Sequence, residues 1–288
     1  MKNIKILTFD LEDWFHLLGV ESTQSPKEWS NFDYRIEKNM DYIFDILERK
    51  KLKASFFCLG WVAREFPNLV KKIDSLGHEI GSHSDLHQLV HQQSRDAFTE
   101  DLRKSITSLE DLIGKKIRMY RSPGFSITDN ELWVFEELIK QGIEIDASIC
   151  SRKMFNGGLV DFKCTEPSII KTKTGQIKEF PINLYELFNQ KIIFSGGGYF
   201  RFLPYNFIKK MSQNSNYLMT YFHPRDFDIN QPVIPGLNFL TKFRAYYGIK
   251  GCHKKLRNLT DDFNFIDIKT ANNIIDWNKV KTIKINYG

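Results

Sequence analysis

Short apolar runs alternate with segments of helical periodicity through the first half of the chain. The apolar runs have the length expected of buried strands, and they lie at residues 4–9, 53–59, 117–120 and 143–149. Apolar positions recur with helical spacing at 36–47, 61–76, 95–113 and 129–141. The connections are a few residues long, and Gly77, Gly114 and Gly142 end three of the predicted helices. Strands that alternate with helices in this way predict βαβ units, and therefore a parallel sheet or barrel.

The rhythm changes after residue 150. Residues 169–180, around Thr174-Gly175, predict a β-hairpin insertion, and residues 216–222 predict another apolar strand. Residues 195–201 predict a glycine-rich turn that lacks the spacing of a dinucleotide site. From about residue 235 the pattern indicates two helical stretches, a strand at 263–268 and a short tail. Because no linker divides the chain, we predict one domain over 1–288, with a core at about 4–226 and a C-terminal extension at about 235–288.

Composition narrows the class of protein. Hydrophobic residues make up 42% of the 288 residues, which is enough for a packed core. The net charge of +6 is too small to indicate a nucleic-acid-binding protein. The four cysteines show no C-x-x-C spacing, so we expect neither a disulfide framework nor a structural zinc site.

Charge and hydropathy also bear on location. The N-terminal sequence reaches Asp10 before a signal-peptide hydrophobic region could form, and no apolar run is long enough to span a membrane. We therefore predict a protein that is kept in the cytoplasm. Residues 242–257 carry six Lys or Arg residues and no acid. This segment is either a solvated helix that covers the fold or a peripheral contact with the anionic surface of the inner membrane.

Two histidines suggest a metal site. His83 and His87 stand four residues apart, so both imidazoles would lie on one face if the segment were helical. Histidine is the commonest metal ligand near neutral pH. Near the first predicted strand, Asp10, Glu12 and Asp13 place three carboxylates within four residues, a cluster that needs a cationic partner if it is buried.

Five short motifs together resemble a known family. They are TFDLEDW at 8–14, HSDLH at 83–87, RSPGFS at 121–126, IDAS at 145–148 and YFHP at 221–224. In this order they resemble the motifs of polysaccharide deacetylases, carbohydrate esterase family four, which carry the nodulation-type deacetylase domain. The GGGYFR turn at 196–201 and the C-terminal extension are similar to the branch associated with exopolysaccharide and lipopolysaccharide gene clusters.

The resemblance implies an α/β fold, a distorted (β/α)7-like barrel with a metal at the C-terminal strand ends. It implies that Asp10 is the catalytic base, His83 and His87 are metal ligands, and His223 is the catalytic acid. The family's usual pair of adjacent aspartates is absent here, so the metal carboxylate is either Asp13 or Glu12. Of these two, Asp13 is preferred. The expected cofactor is one divalent ion, zinc in the first place, with cobalt, nickel or manganese as alternatives.

Further residues are assigned around this centre. Arg121 would pair with Asp10 and hold it in the charged form, while Asp146 joins the catalytic set or only caps a turn. Trp14, Phe125, Tyr199 and Arg201 are the candidates for contact with a sugar, with burial of the rings or a structural turn as the alternative. In the last motif Arg225-Asp226 replaces the Trp-Glu that is more frequent in this branch. The resemblance therefore does not assign the residues on the leaving-group side of the site.

The chemistry of such a set is amide hydrolysis. A Lewis-acidic ion held by two histidines and one carboxylate leaves coordination positions open for water and for a carbonyl oxygen. We therefore expect a deacetylase that acts on an N-acetylated sugar or glycan, on a surface polysaccharide or its lipid-linked precursor. A hydrolase of non-sugar amides and a non-catalytic glycan-binding domain are the alternatives. The sequence leaves the sugar, the acyl group and the oligomeric state open.

Overall fold

The structure is a computed structural model that describes residues 3–285 of the chain. It contains strands and helices in alternation through the first half, as predicted. The strands are β1 Ile4–Ile6, β2 Thr8–Leu11, β3 Ser55–Cys58, β4 Glu79–Ser82, β5 Met119–Tyr120, β6 Ile145–Asp146, β7 Ser168–Lys171, β8 Gln176–Glu179, β9 Tyr185–Leu187, β10 Gln190–Ile192, β11 Tyr217–Met219 and β12 Lys281–Lys284. The α-helices are α1 Glu21–Gln24, α2 Ile36–Arg49, α3 Gly60–Glu65, α4 Pro67–Ser75, α5 Arg95–Ile113, α6 Val134–Lys140, α7 Gly197–Phe202, α8 Tyr205–Gln213, α9 Phe239–Tyr246, α10 Ile249–Asp262 and α11 Ile268–Ile274. Short 3-10 helices lie at Pro26–Asn31, Val90–Gln92, Pro123–Phe125 and Pro224–Phe227.

The main sheet has the strand order β12-β7-β8-β6-β5-β4-β3-β2. Its pairings are parallel except between β7 and β8, which form the predicted antiparallel hairpin. Helices cover the outside because each βαβ connection must cross one face of a parallel sheet. Parallel strands that run in the same direction bring their C-terminal ends to one edge, and the candidate site lies there.

The first strands of the chain also pair with β11, the last strand of the core. β1 pairs in parallel with β11, with Ile4 opposite Tyr217. The contact continues beyond the regular pairing, since Asp10 N donates to Phe222 O and Phe222 N donates to Thr8 O. The sheet therefore curves back upon itself, and the layer between its strands and the outer helices contains aromatic side chains such as Phe9, whose ring stacks on that of Phe56 at 5.1 Å.

Helix boundaries follow local sequence chemistry. α5 begins after Ser94, whose side chain accepts a hydrogen bond from Ala97 N, and ends at Gly114 with a φ of 67°. The predicted helix at 61–76 is wrong as one element, because Phe66 precedes a proline and takes a non-helical conformation between α3 and α4. Thr128 N and Thr128 Oγ1 both donate to the Glu131 carboxylate, but the helix predicted from residue 129 starts only at Val134, as α6.

The C-terminal extension contains three helices, α9 to α11, rather than two. The predicted strand at 263–268 is reduced to one bridge between Ile266 and Ile6, because α11 already starts at Ile268. The glycine-rich segment continues into helix α7 instead of remaining a turn. The terminal strand β12 pairs with β7, a long-range contact that we did not predict. The single-domain assignment stays a prediction.

Across residues 3–285, none of the helices combines the length and the apolar character that crossing a bilayer requires.

Candidate active site

A cavity of about 260 Å³ lies at the C-terminal ends of the first strands. Its wall includes acidic and imidazole groups that the sequence spreads over more than two hundred positions, namely Asp10, Glu12, His16, His87 and His223. The curved sheet brings them together, since β2 lies between β3 on one side and residues 220–222 on the other. Asp10, His87, Phe125 and His223 are the predicted site residues that line this cavity.

Three of these groups converge on one point. Glu12 Oε1 lies 3.0 Å from His83 Nε2 and 2.9 Å from His87 Nε2. All three side chains are buried. The segment after β4 is a loop and not the helix from which the pairing of the histidines was argued, because Ser84 and His87 both have positive φ. The loop still places the two rings 5.3 Å apart.

Asp13 does not take part in this cluster. One of its oxygens accepts a hydrogen bond from Trp14 N, and the other accepts from the backbone of Arg35 and Ile36. Both oxygens are therefore occupied by backbone N–H groups, and Oδ2 fixes the start of α2. The preference for Asp13 is corrected in favour of the alternative, Glu12.

The donor set fits a divalent cation. His83 Nδ1 lies 2.8 Å from Arg121 O, so it carries the proton and leaves the lone pair on Nε2. His87 Nε2 is buried and makes no hydrogen bond of acceptable geometry among the described residues, although it faces Glu12. The ligand atoms of Glu12, His83 and His87 lie within 4.8 Å of one another. Two imidazoles and one carboxylate are a donor set typical of catalytic zinc.

Asp10 is held by Arg121, as predicted. Arg121 Nη1 donates to Asp10 Oδ1 at 2.6 Å and to Thr8 Oγ1 at 2.8 Å. The guanidinium is completely buried and also lies over the ring of Phe57 at 4.1 Å. Since Oδ1 is bound to Arg121, Oδ2 remains on the side of the cavity, 3.8 Å from His223 Nε2.

His223 is paired with a second carboxylate. Its Nδ1 lies 3.1 Å from Asp226 Oδ2, and its backbone N–H donates to the same oxygen at 3.0 Å. Burial by itself lowers the pKa of His223, but the negative charges of Glu12, Asp226 and Asp10 outweigh it and raise the pKa to about 9. Without an ion at the cluster, this imidazole therefore carries its proton at neutral pH.

Arg201 supports this pair instead of facing a sugar. Its Nη1 donates to Asp226 Oδ1, and its side chain is only 3% exposed. The prediction that Arg201 binds substrate is corrected, because its guanidinium is used inside the protein. Burial would raise the pKa of Asp226, but the cations Arg201 and His223 lower it to about 2.

Two other assigned residues lie away from the cavity. Asp146 is buried and accepts a hydrogen bond from Ser148 Oγ at 2.6 Å, and Ser148 Oγ in turn accepts from Ser122 N. It therefore orients the loop after Arg121 and is not among the groups that face the cavity. Trp14 is 4% exposed and donates to Asp33 O, so its ring belongs to the core. The alternatives given for these residues are therefore the ones observed: Asp146 stabilises a turn and Trp14 is buried in the core.

Phe125 and Tyr199 line cavities. Phe125 is buried, packs edge to face on Tyr221 and lines the cavity beside the cluster. Tyr199 is 41% exposed and lines a neighbouring cavity. The sequence argument missed the role of Asp226, although its position three residues after His223 is the spacing of a capping box at a helix start. It also found no role for His16, which lines the cavity with a ring centroid 5.9 Å from that of His87.

Fold and site together define a barrel with a candidate metal centre, a buried carboxylate paired with an arginine, and a charged imidazole. The family model "Polysaccharide deacetylase" matches residues 21–142, and "Domain of unknown function (DUF3473)" matches residues 147–273. The resemblance seen in the motifs is thereby confirmed, and residues 21–142 are similar to polysaccharide deacetylases.

One curated relative and two solved structures illustrate the likeness. A peptidoglycan-N-acetylglucosamine deacetylase of Bacillus cereus is 35% identical over 96 residues, which cover 33% of this chain and 35% of the relative. A candidate polysaccharide deacetylase from Mycobacterium smegmatis superimposes with a TM-score of 0.65 at 15% identity, over 100% of this chain and 95% of the other. A mutant CE4 family pseudoenzyme with restored enzymatic activity gives a TM-score of 0.51 at 14% identity, over 98% and 70% of the two chains. The structural matches confirm the predicted barrel fold.

Proposed function

We propose that this protein is a metal-dependent hydrolase that removes the N-acetyl group from an amino sugar of a glycan. The observation that carries the proposal is the convergence of three sets of groups on one cavity. These are the ligand cluster of Glu12, His83 and His87, the ion pair of Asp10 with Arg121, and the pair of His223 with Asp226. Each set matches one requirement of amide hydrolysis.

A divalent ion held by Glu12, His83 and His87 would supply Lewis acidity toward the amide carbonyl and toward water. The residues of the chain handle the protons. Asp10 Oδ2 is the free oxygen of an oriented carboxylate and would accept a proton from the attacking water. His223 Nε2 faces the same space, and Asp226 fixes the tautomer by accepting from Nδ1. The protonated imidazole would donate to the departing amine.

The choice of an acetylated amino sugar is supported by the relatives. The Bacillus cereus relative is named for deacetylation of N-acetylglucosamine in peptidoglycan, although the match spans about a third of its length. Because the described fold is shared with a pseudoenzyme, catalysis has to be argued from the residues of the site. The retained base, acid and ligand cluster favour turnover over glycan binding alone.

The test measures bound metal and released acetate in the same preparations. With N-acetylglucosamine oligomers as substrate, the wild type loaded with zinc, cobalt, nickel or manganese should release acetate, and zinc is the ion that we expect. Glu12→Gln should lose bound metal and reduce turnover by a factor on the order of 10²–10⁴, because one charged ligand is removed and the activated water with it.

Asp13→Asn is the matched control. It changes the adjacent carboxylate, which binds backbone N–H groups only, so metal content should stay near the wild-type value. Retention of metal by Glu12→Gln and its loss from Asp13→Asn would contradict the proposed ligand set. Turnover of ureides without turnover of N-acetylated sugars would indicate the non-sugar amide hydrolase instead, and bound sugar without any turnover would indicate a binding domain.

A further inference from the structure

Five aromatic side chains form an exposed patch beside the candidate site. We call it the aromatic patch, and it consists of Phe155, Phe202, Phe239, Phe243 and Tyr247. Their exposures are 74%, 55%, 80%, 38% and 51%. Large apolar groups that are exposed singly are normal, but a contiguous exposed group usually marks an interaction surface.

The rings of the patch are in contact with one another. Phe243 stacks on Tyr247 with 4.6 Å between ring centroids and lies 6.4 Å from Phe239. Phe202, which comes from α7, lies 6.1 Å from Phe243 and 5.8 Å from Tyr247. Phe155 joins from a separate loop and is bridged to α9 by Arg244, whose guanidinium lies 4.8 Å from its ring. Three distant segments therefore contribute to one surface.

The helix α9 is anchored from its inner side. Arg201 Nη2 donates to Arg244 O at 2.5 Å, and Arg225 Nη2 donates to Ala245 O at 3.2 Å. Ala245 is buried against the barrel. Because the anchors use backbone carbonyls and one small side chain, Phe239 and Phe243 of α9 remain directed to the outside.

The chain segments that contribute the aromatic patch carry cations and no acid. No Asp or Glu occurs in residues 150–160, 187–225 or 229–260, while Lys and Arg occur in each. Lys242, Arg244 and Lys250 are exposed on or next to α9. Lys255 is different, since its Nζ donates to the carbonyl groups of Phe200, Arg201 and Leu203. Lys255 is therefore not among the cations of the run at 242–257 that are free to act at the surface.

The patch adjoins the mouth of the catalytic cavity. Phe155, Arg244 and Tyr221 line both the cavity at the metal cluster and a second cavity that is formed by the aromatic patch. Any large partner that covers the patch would therefore lie next to the entrance of the site.

We propose that the aromatic patch docks on the surface of an anionic lipid bilayer. Four of the five rings are phenylalanine, which offers no hydrogen bond to a sugar but gains free energy at the boundary of headgroups and acyl chains. The adjoining cations would lie at the depth of the negatively charged headgroups. A second copy of the chain fits less well, because a symmetric contact would place the same cations against each other.

Docking of this kind would present the cavity to substrates at the membrane surface, and it is independent of turnover. The test is co-sedimentation with phosphatidylcholine vesicles, with and without phosphatidylglycerol, at low and at high salt. The wild type should bind the anionic vesicles at low salt and lose affinity at high salt. Phe239→Ser/Phe243→Ser should weaken this binding about tenfold or more, because both rings are removed from the lipid contact.

The control is Leu76→Ser/Ile274→Ser, which removes two exposed apolar side chains outside the patch and should bind like the wild type. A charge variant, Lys242→Glu/Lys250→Glu, should weaken binding by about fivefold or more for each cation lost. Three results would overturn the proposal. They are unchanged binding by the aromatic variant, equal binding to neutral and anionic vesicles, and a wild-type dimer in light scattering that the aromatic variant dissociates.

Discussion

At the scale of single residues, the charge on His223 is controlled by a partner that lies behind it. Asp226 accepts from both the ring and the backbone of His223, and Arg201 holds Asp226 from the other side. His223 and Asp226 follow β11, the last strand of the core, and Arg201 lies in α7. These two elements bring the three side chains together. Asp226 is therefore a positioning residue, because it acts on the cavity only through the imidazole.

Removal of this charge should move a pH profile. Asp226 raises the pKa of His223, so Asp226→Asn should lower that pKa, and the protonated imidazole should be lost at a lower pH. We expect the alkaline limb of kcat/KM to shift to lower pH in Asp226→Asn, with turnover reduced on the order of 10² because the tautomer is no longer fixed. The profile is to be measured on zinc-loaded enzyme with N-acetylglucosamine oligomers.

Asp228→Asn provides the matched control for this experiment. Asp228 is a buried carboxylate two residues further on, and it pairs with Arg35 and not with His223. Its replacement should lower stability without moving the alkaline limb. An identical shift in both variants, or no shift in Asp226→Asn, would mean that Asp226 does not set the proton affinity of His223.

At the scale of elements, a half-buried carboxylate fastens the C-terminal extension to the barrel. Glu79, at the start of β4, accepts hydrogen bonds from Ser55 Oγ at 2.6 Å and from Lys269 N at 2.9 Å. Ser55 Oγ also accepts from Ile268 N, the first residue of α11. Burial raises the pKa of Glu79 to about 7, against the smaller opposite effect of these hydrogen bonds.

This pKa makes stability depend on pH. Between about pH 4.5 and 7 the folded protein keeps a proton on Glu79 that the unfolded chain releases. The free energy of unfolding should therefore fall as pH rises through this range, by at most about 3 kcal/mol from this group, and level off above it. Urea unfolding from about pH 5 to about pH 8 would measure the slope.

Glu79→Gln should flatten that slope, because a neutral amide can accept the same two hydrogen bonds through its carbonyl oxygen. Glu37→Gln, at an exposed position on α2, should keep the pH dependence of the wild type. If the stability of Glu79→Gln falls with pH as steeply as that of the wild type, Glu79 is not the group that titrates.

The sequence was most informative where local chemistry decides the structure. Apolar runs placed the early strands, and the motifs paired Asp10 of β2 with Arg121 at the end of β5, although β3 and β4 lie between these strands in the sheet. It was least informative between adjacent residues of like chemistry. The backbone N–H groups of Arg35 and Ile36 bind the carboxylate of Asp13 and not that of Glu12. The spacing of residues along the sequence does not reveal this contact.

At the scale of the whole molecule, the unpredicted features are long-range. The pairing of β12 with β7 and the three-helix extension depend on contacts between distant segments. Arg201, next to a glycine-rich segment, could have faced a sugar as well as Asp226, and only the path of α7 decides between them. Patterns of local spacing predict elements well, whereas the partner of a side chain depends on where the chain returns.

The pairing of β1 with β11 also has a consequence for how the molecule acquires its structure. Thr8 and Thr220, which are hydrogen-bonded across this contact, are 212 positions apart. Contacts of such sequence separation form slowly, because a long loop has to be closed before they become favourable. The cluster of Glu12, His83 and His87 needs only the first strands, whereas His223 arrives with the final closure.

Folding kinetics can reveal this order. Leu218→Ala, in β11, should mainly accelerate unfolding and leave the refolding rate near the wild-type value, because its contacts form after the rate-limiting transition state. Phe56→Leu, in β3, should mainly slow refolding. Stopped-flow tryptophan fluorescence would record both rates, and the reverse pattern would mean that closure precedes the central strands. If the central strands form first, Glu12, His83 and His87 can bind a metal ion before the closure of the barrel brings in His223, the proposed proton donor.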